Sequence, residues 1–388
     1  MNDQSQLLAA LDAAQVDGQD AVIATVVKVE GSAYRRPGAR MVIPQLGSAT
    51  GTVSGGCLES DVSKKAWWLT ESGKPVIRTY STGEDDDDLE EAELSFGLGC
   101  NGTVHILFER VMAGQPSLPV QILRQVQTSQ RPAALATVID SQNPRFTAVG
   151  ERLALAPVDG LLSEIRDQGL AASIAEDLQA VLDLQRSASC LYEGAGGTVE
   201  VLLEFIPAPR RLVIFGAGHD AAPLLGMARL QGWHTTLIDA RPQYARAERF
   251  PEADQVLAIA LSEPLPAVLD GTAVVIMTHS YSQDRHWLEA ALNAHPVYIG
   301  QLGPRSRTER LLDELDPGLR EQPAFAGLHY PVGLDLGGDT PQSVALSILA
   351  EINAVANRRN GGMLKHRIAS IHGVEPAKTA DSALRMIG

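Results

Sequence analysis

Arg211-Leu212-Val213-Ile214-Phe215-Gly216-Ala217-Gly218-His219-Asp220-Ala221 is the stretch that decides the fold of this chain. An apolar run of strand length enters a glycine turn, and a helix-forming sequence leaves it. The first glycine permits the tight turn. The second lets a phosphate come against the backbone, and Ala221 is small enough for helix and strand to pack. A phosphate would rest on the open N–H groups of the helix start, with His219 inside the turn as a polar contact. Asp239 closes the next apolar run, 23 residues after Gly216, where an acid can bind ribose hydroxyls. Its charge opposes a 2′-phosphate and the nearby Arg241 attracts one, so NAD and NADP both stay open.

Outward from this turn the rhythm is strand–helix alternation. Residues 211–216, 234–240, 255–260, 273–279 and 297–303 are apolar runs of strand length, most of them separated by helical sequence. This predicts a Rossmann-like, doubly wound parallel sheet over 210–335. Such sheets bind ligands at the C-terminal ends of their strands, which puts Thr278, His279 and the following Asp284 among the candidates. Residues 336–388 are read as a C-terminal helix and tail, with Thr340 as N-cap, Pro341 at the first helical position and Gly361 beyond the end. Pro207-Ala208-Pro209 marks the linker before the sheet.

The N-terminal part reads as α+β. A helix over 1–15 precedes strands at 21–29, 40–44 and 50–53, a helix opening near Cys57, and strands at 76–80 and 103–109. The plan then recurs. Ala24-Thr25-Val26-Val27 returns as Ala136-Thr137-Val138-Ile139, and Gly102-Thr103-Val104-His105-Ile106-Leu107-Phe108-Glu109 returns as Gly197-Thr198-Val199-Glu200-Val201-Leu202-Leu203-Glu204. A unit at 1–112 and a diverged second copy at 113–206 follow. The fold class is therefore α/β, with a duplicated α+β region ahead of the parallel sheet and the final helix.

Of the three cysteines, two lie in glycine-rich turns. Gly55-Gly56-Cys57 sits at a helix start, where anionic sulfur is favoured, and the glycines let a bulky ligand approach. Phe96-Gly97-Leu98-Gly99-Cys100 is the second such turn. Thiolates suit soft metals, and two turns could meet at one soft metal or sulfur centre. The second copy has no thiol at either place, and Cys190 reads as structural. Zinc spacings, a nucleophile elbow and a P-loop are absent from the sequence.

Bulk properties narrow the function. With 388 residues there is room for two or three domains. A net charge of -15 disfavours nucleic acid and anionic membranes. The run Glu84-Asp85-Asp86-Asp87-Asp88 with Glu90, Glu91 and Glu93 reads as a solvated loop. The N-terminus lacks a basic start and apolar core, no apolar run reaches membrane-spanning length, and the cysteines are too few for a disulfide scaffold. A cytoplasmic location is expected.

Taken together the segments resemble the XdhC/CoxI family of molybdenum-hydroxylase accessory proteins. The resemblance rests on Gly31-Ser-Ala-Tyr-Arg-Arg-Pro-Gly-Ala-Arg40, Ser54-Gly-Gly-Cys-Leu-Glu59, Phe96-Gly-Leu-Gly-Cys100, Phe215-Gly-Ala-Gly-His219, Asp239-Ala-Arg-Pro242, Thr278-His-Ser280, Tyr298-Ile-Gly-Gln-Leu-Gly-Pro-Arg-Ser306 and the stretch from Gly338 to Ile352. The middle region is longer than the plain family plan, and Pro304 stands where a smaller residue is commoner. The resemblance implies a cytoplasmic chaperone rather than a stand-alone enzyme. It would bind the molybdenum cofactor, as molybdopterin or its dinucleotide form, and assist exchange of an oxo for a sulfido ligand. It would then deliver the cofactor to an apo molybdenum hydroxylase such as a xanthine dehydrogenase. A cysteine desulfurase as sulfur donor and a homodimeric state belong to the same expectation. The expected catalytic residues are Cys57 and Cys100, with Cys57 touching molybdenum. Arg35, Arg36, Arg40, Gly55, Gly56, Gly216, Gly218, His219, Asp239, Arg241, Thr278 and His279 would hold the cofactor, since guanidinium groups suit a pterin phosphate. The competing reading is an NAD(P)-dependent oxidoreductase built on the glycine turn.

Overall fold

The computed structural model describes residues 4–81, 102–115, 117–266 and 268–368, and the backbone of a short strand at 385–386. Cys100, its glycine turn and the acidic run at 84–93 lie outside the described residues. The chain divides into two compact units, Met1–Ala208 with Val374–Gly388, and Pro209–Gly373. No described helix is long and apolar enough to cross a membrane.

The first unit holds two antiparallel sheets. Helix α1 (Gln4–Val16) leads into β1 (Ala21–Gly31), β2 (Arg40–Pro44) and β3 (Thr50–Gly51); α2 (Glu59–Leu69) follows, then β4 (Val76–Tyr80) and β5 (Gly102–Val111). The second series is α3 (Leu118–Ser129), β6 (Ala133–Ser141), β7 (Arg152–Ala156), β8 (Gly160–Ser163), α4 (Gln168–Leu184), β9 (Ala188–Gly194) and β10 (Gly197–Ile206). The sheets run β3-β2-β1-β5-β4 and β8-β7-β6-β10-β9, one order used twice. A last short strand at Arg385–Met386 extends β9 in the second sheet. Even the irregularities repeat. The β1–β5 ladder shifts register between Val26 and Lys28, leaving Val27 unpaired. The β6–β10 ladder skips Ile139, the residue matched to Val27 by sequence.

The two copies meet with reciprocal contacts. Arg40 on β2 donates to Glu204 on β10 through Nη1 at 2.7 Å and Nη2 at 2.5 Å. Arg152 on β7 binds Glu109 on β5 in the reciprocal pairing. Each arginine also donates to the carbonyl two residues before it, Gly38 or Gly150, at 2.9 Å. Both glycines have positive φ, +94° and +91°, which a side chain would resist. Between the pairs Val27, Leu107, Ile139 and Leu202 form a small apolar cluster. Residue i meeting j′ while j meets i′ is the signature of two-fold symmetry, here between halves of one chain.

The second unit is a six-stranded sheet in the order β13-β12-β11-β14-β15-β16, every pair parallel. Its strands are β11 (Arg211–Phe215), β12 (His234–Asp239), β13 (Gln255–Ala258), β14 (Ala273–Ile276), β15 (Tyr298–Gln301) and β16 (Leu328–His329), and the strand that extends β9 in the first unit is β17 (Arg385–Met386). Counted from β11 the order is that of a Rossmann sheet, reversing between β11 and β14. Alternate residues of β11 face opposite layers. Leu212 and Ile214 pack with α5 (Ala221–Leu230) and α8 (Pro341–Ala356). Val213 and Phe215 pack with α6 (Tyr281–Asn293) and α7 (Arg305–Asp313). Strands covered on both faces read as continuous apolar runs, which is why this sheet was legible in the sequence. The final helix is capped by Thr340, whose Oγ1 accepts from Ser343 N at 3.1 Å. It does not stand apart as a tail: Ala345, Ile348, Leu349 and Ile352 fill one layer of the parallel-sheet core. It ends at Ala356, before Gly361, with Arg358 taking the left-handed turn at φ 54°.

Candidate functional site

In the first unit the candidate site is the turn between β3 and α2. Gly56 has φ +112°, and Cys57 is exposed. The turn is locked from within. Glu59 accepts from Val53 N at 3.1 Å and Ser54 N at 2.8 Å, and takes the Ser54 hydroxyl at 2.6 Å. Ser54 Oγ in turn accepts from Leu58 N at 3.0 Å and Gly56 N at 3.3 Å. Burial pushes the Glu59 carboxyl up, but these donors together hold it below its ordinary value, so it is an anion at neutral pH. Sequence reading missed Ser54 and Glu59 as the framework. The available signal was an acid two residues after a Gly-Gly-Cys turn with a serine on its other side.

A β-carbon on Gly55 would stand 3.4 Å from the Tyr34 ring. Tyr34 therefore brings the β1–β2 loop, with the partly exposed Arg35 and Arg36, against the Cys57 turn. Gly102, the first described residue after the Cys100 segment, pairs with Gly31 at the start of the same loop. Arg40 is a correction: it is 8% exposed and spent on Glu204, so it cannot reach a phosphate. Its partner lies 164 residues away, beyond what local sequence can signal. Cys190 is buried in the core of the second sheet, as expected of a structural thiol.

The second copy shows what a plain version of this helix start looks like. There Asp167 caps α4, accepting from Gly169 N at 3.0 Å and Leu170 N at 3.1 Å, and also takes Ala195 N at 2.9 Å. Helix α2 has Leu58 at the N-cap and no side-chain cap. The first copy lacks that cap, closes its helix start with Ser54 and Glu59 instead, and sets a thiol beside it. Among the described residues no group of three or more His, Cys, Asp or Glu could hold a metal ion.

In the second unit the candidates gather at the reversal of strand order. Gly216 has φ +120°, and a β-carbon there would stand 2.5 Å from Met277 O. That close approach sets the β11 turn beside the β14 turn. Asp239 departs from the expected ribose ligand. It is 0% exposed and accepts from Ala217 N at 2.8 Å, Arg241 N and Nε at 2.9 Å, and Arg241 Nη2 at 2.8 Å. Burial pushes its carboxyl up, yet Arg241 and these N–H groups hold it below the ordinary carboxylate range. Arg241, folded onto Asp239, lies 4.2 Å over the Tyr244 ring. Both members of the expected ribose-reading pair are engaged with each other.

Gly218 is also covered. A β-carbon there would collide with Asp220 Oδ1, so a carboxylate stands beside the glycine that was to receive phosphate. Asp220 Oδ2 lies 2.7 Å from His279 Nε2 across the reversal point. His219 is exposed. Thr278 is buried and donates from Oγ1 to Asp284 at 2.5 Å. Asp284, 1% exposed, also takes Arg307 and Gln301 Nε2. Sequence reading named Thr278, His279 and Asp284, and missed Asp220, Gln301 and Arg307.

Comparison with known proteins agrees in both units. A model described as the XdhC Rossmann domain matches residues 212–352, and one described as the XdhC and CoxI family matches 14–81. A protein of Bacillus subtilis (strain 168), described as a probable subunit of xanthine dehydrogenase, is 31% identical over 347 residues, 88% of this chain and 95% of that protein. The molybdenum cofactor insertion chaperone PaoD of Escherichia coli (strain K12) is 26% identical over 345 residues, 88% of this chain and 85% of that one. A crystal structure from Bacillus halodurans, described as a xanthine dehydrogenase, matches with a TM-score of 0.70 at 26% identity, covering 93% of this chain and 97% of the other. Since the similarity runs nearly end to end and includes both the Cys57 turn and the parallel sheet, the chain belongs to the XdhC and CoxI family.

Proposed function

We propose that this chain is an accessory protein of a molybdenum hydroxylase: it takes the molybdenum cofactor as cargo, assists its sulfuration with a cysteine desulfurase as sulfur donor, and inserts it into the apo-enzyme. The supporting observation is Cys57, an exposed thiol on a turn held rigid by Glu59 and Ser54. A soft sulfur ligand suits molybdenum. Arg35 and Arg36 lie on the loop that Tyr34 brings to the same turn and supply positive charge for the phosphate. Similarity to a cofactor insertion chaperone adds support. The oxidoreductase alternative loses ground, because Asp239 is closed by Arg241 and Asp220 covers Gly218. The test is to express the chain in cells that make the cofactor and to assay the purified protein for molybdenum and pterin. Retention of both is expected, and a preparation carrying neither sinks the proposal.

A further inference from the structure

We infer that the crest of the parallel sheet, at the reversal between β11 and β14, is an acid–base site for a neutral N–H or O–H ligand rather than a phosphate cradle. Three observations carry this. First, the place beside Gly218 is taken by the Asp220 carboxylate, whose charge opposes a phosphate at close range. Second, Asp220 holds the His279 ring through Nε2 at 2.7 Å while the ring stays 62% exposed and Asp220 only 19%. A carboxylate only accepts, so in the neutral ring Nε2–H donates to Asp220 and Nδ1 carries the lone pair. Among the described residues no partner engages Nδ1. Third, His279 has φ 58°, a conformation that non-glycine residues adopt seldom and keep only where the surroundings impose it. The neighbours impose it here. Thr278 N and Oγ1 both bind Asp284, at 3.2 and 2.5 Å, and Ser280 N donates to Thr278 Oγ1 at 3.1 Å. Asp284 is itself fixed by Arg307 and Gln301.

The chemistry is one proton. Nδ1 takes the proton of a ligand X–H, X keeps the bonding pair as an anion, and the imidazolium charge is balanced by Asp220. The return step delivers the proton from Nδ1 back to X. The orienting carboxylate and the outward ring nitrogen are the arrangement that general bases use.

The choice of a pterin as probe rests on the accessory reading above, since a pterin ring presents exchangeable N–H groups. Full-length protein is titrated with 6-hydroxymethylpterin, with affinity read by calorimetry and ring ionisation by the absorption spectrum of the bound pterin, since a proton passed from ligand to Nδ1 stays inside the complex. Wild type should bind the probe with the spectrum of the pterin anion at a pH where the free pterin is neutral. His279→Gly suits the positive φ and should keep its thermal midpoint, yet bind about tenfold more weakly, the worth of a hydrogen bond to a charged group, with the anion spectrum gone. Asp220→Asn, which keeps the side-chain size, should lower both affinity and the anion fraction. Inorganic phosphate and AMP should not displace the probe. The inference is overturned if either anion displaces it, if His279→Gly binds and ionises the probe like wild type, or if wild type does not bind the probe. Failure here with molybdenum still retained in the co-expression assay sinks the crest site alone. Probe binding without molybdenum retention sinks the accessory reading alone.

Discussion

Cys57 is the residue on which the proposed cofactor handling turns. Serine differs from it by one atom, and the turn is held by Gly56, Ser54 and Glu59 rather than by sulfur. Cys57→Ser should therefore stay folded, with a stability change under about 1 kcal/mol. It should lose molybdenum on purification and leave a co-expressed client hydroxylase inactive, while Cys190→Ser activates the client normally. An active client from Cys57→Ser would discard the thiol role. Glu59 carries a separate pH prediction. Its folded carboxyl lies below the ordinary value because Ser54 and backbone N–H groups outweigh burial. A depressed carboxyl contributes stability that is present above the unfolded pKa and lost as pH falls through the folded one. Thermal scans between pH 7 and the acid range should show wild type losing more stability than Glu59→Gln, and parallel curves would contradict the assignment. Legibility was uneven at this scale. Cys57, Thr278 and His279 were marked by local glycines and strand ends. The engagement of Arg40 and Asp239 was not, because it depends on which side chain fills the space in three dimensions. Arg241 stands two residues from Asp239, and sequence read its charge correctly but gave it to a ligand.

Elements were the most legible scale, since hydrophobic periodicity and caps act locally. The doubly wound parallel sheet followed from apolar runs of strand length alternating with helices, and the duplication followed from two short repeats that the topology then extended to whole sheets. What sequence could not give was how the copies meet. Arg40 and Arg152 sit in equivalent strands and each reaches the other copy's glutamate. Removing one partner of a buried pair leaves a charge without compensation, so Arg40→Met should cost about 3–5 kcal/mol in denaturant unfolding. Arg40→Met with Glu204→Met should recover much of that loss. By the internal symmetry, Arg152 and Glu109 should give a matching cycle. Additive effects in either cycle would mean the pair is not coupled.

At the scale of the molecule the two candidate sites lie in different units, a thiol turn in one and a carboxylate–imidazole pair in the other. The second unit includes its own closing helix. The residues of α8 that face the sheet are spaced as one helical stripe, and Glu351 on the same helix accepts from Gly333 N at 2.8 Å and binds Tyr298 and His329. A fragment covering Pro209–Gly373 should accordingly fold with mixed α/β circular dichroism and a cooperative melt. One ending at residue 335 should not, because it uncovers the core layer of Leu212, Ile214 and Val275. Cooperative melting of the shorter fragment would show that the helix is dispensable.

The crossed arginine–glutamate pairs say something about origin. A surface on which each copy satisfies the other's charge, and neither its own, is what two separate identical molecules would need in order to assemble. Joining them on one chain replaces a bimolecular encounter by a permanently high effective concentration. Once association no longer had to be symmetric, one copy could cap its helix with Asp167 and settle into support, and the other could give up that cap and place Cys57 at the turn.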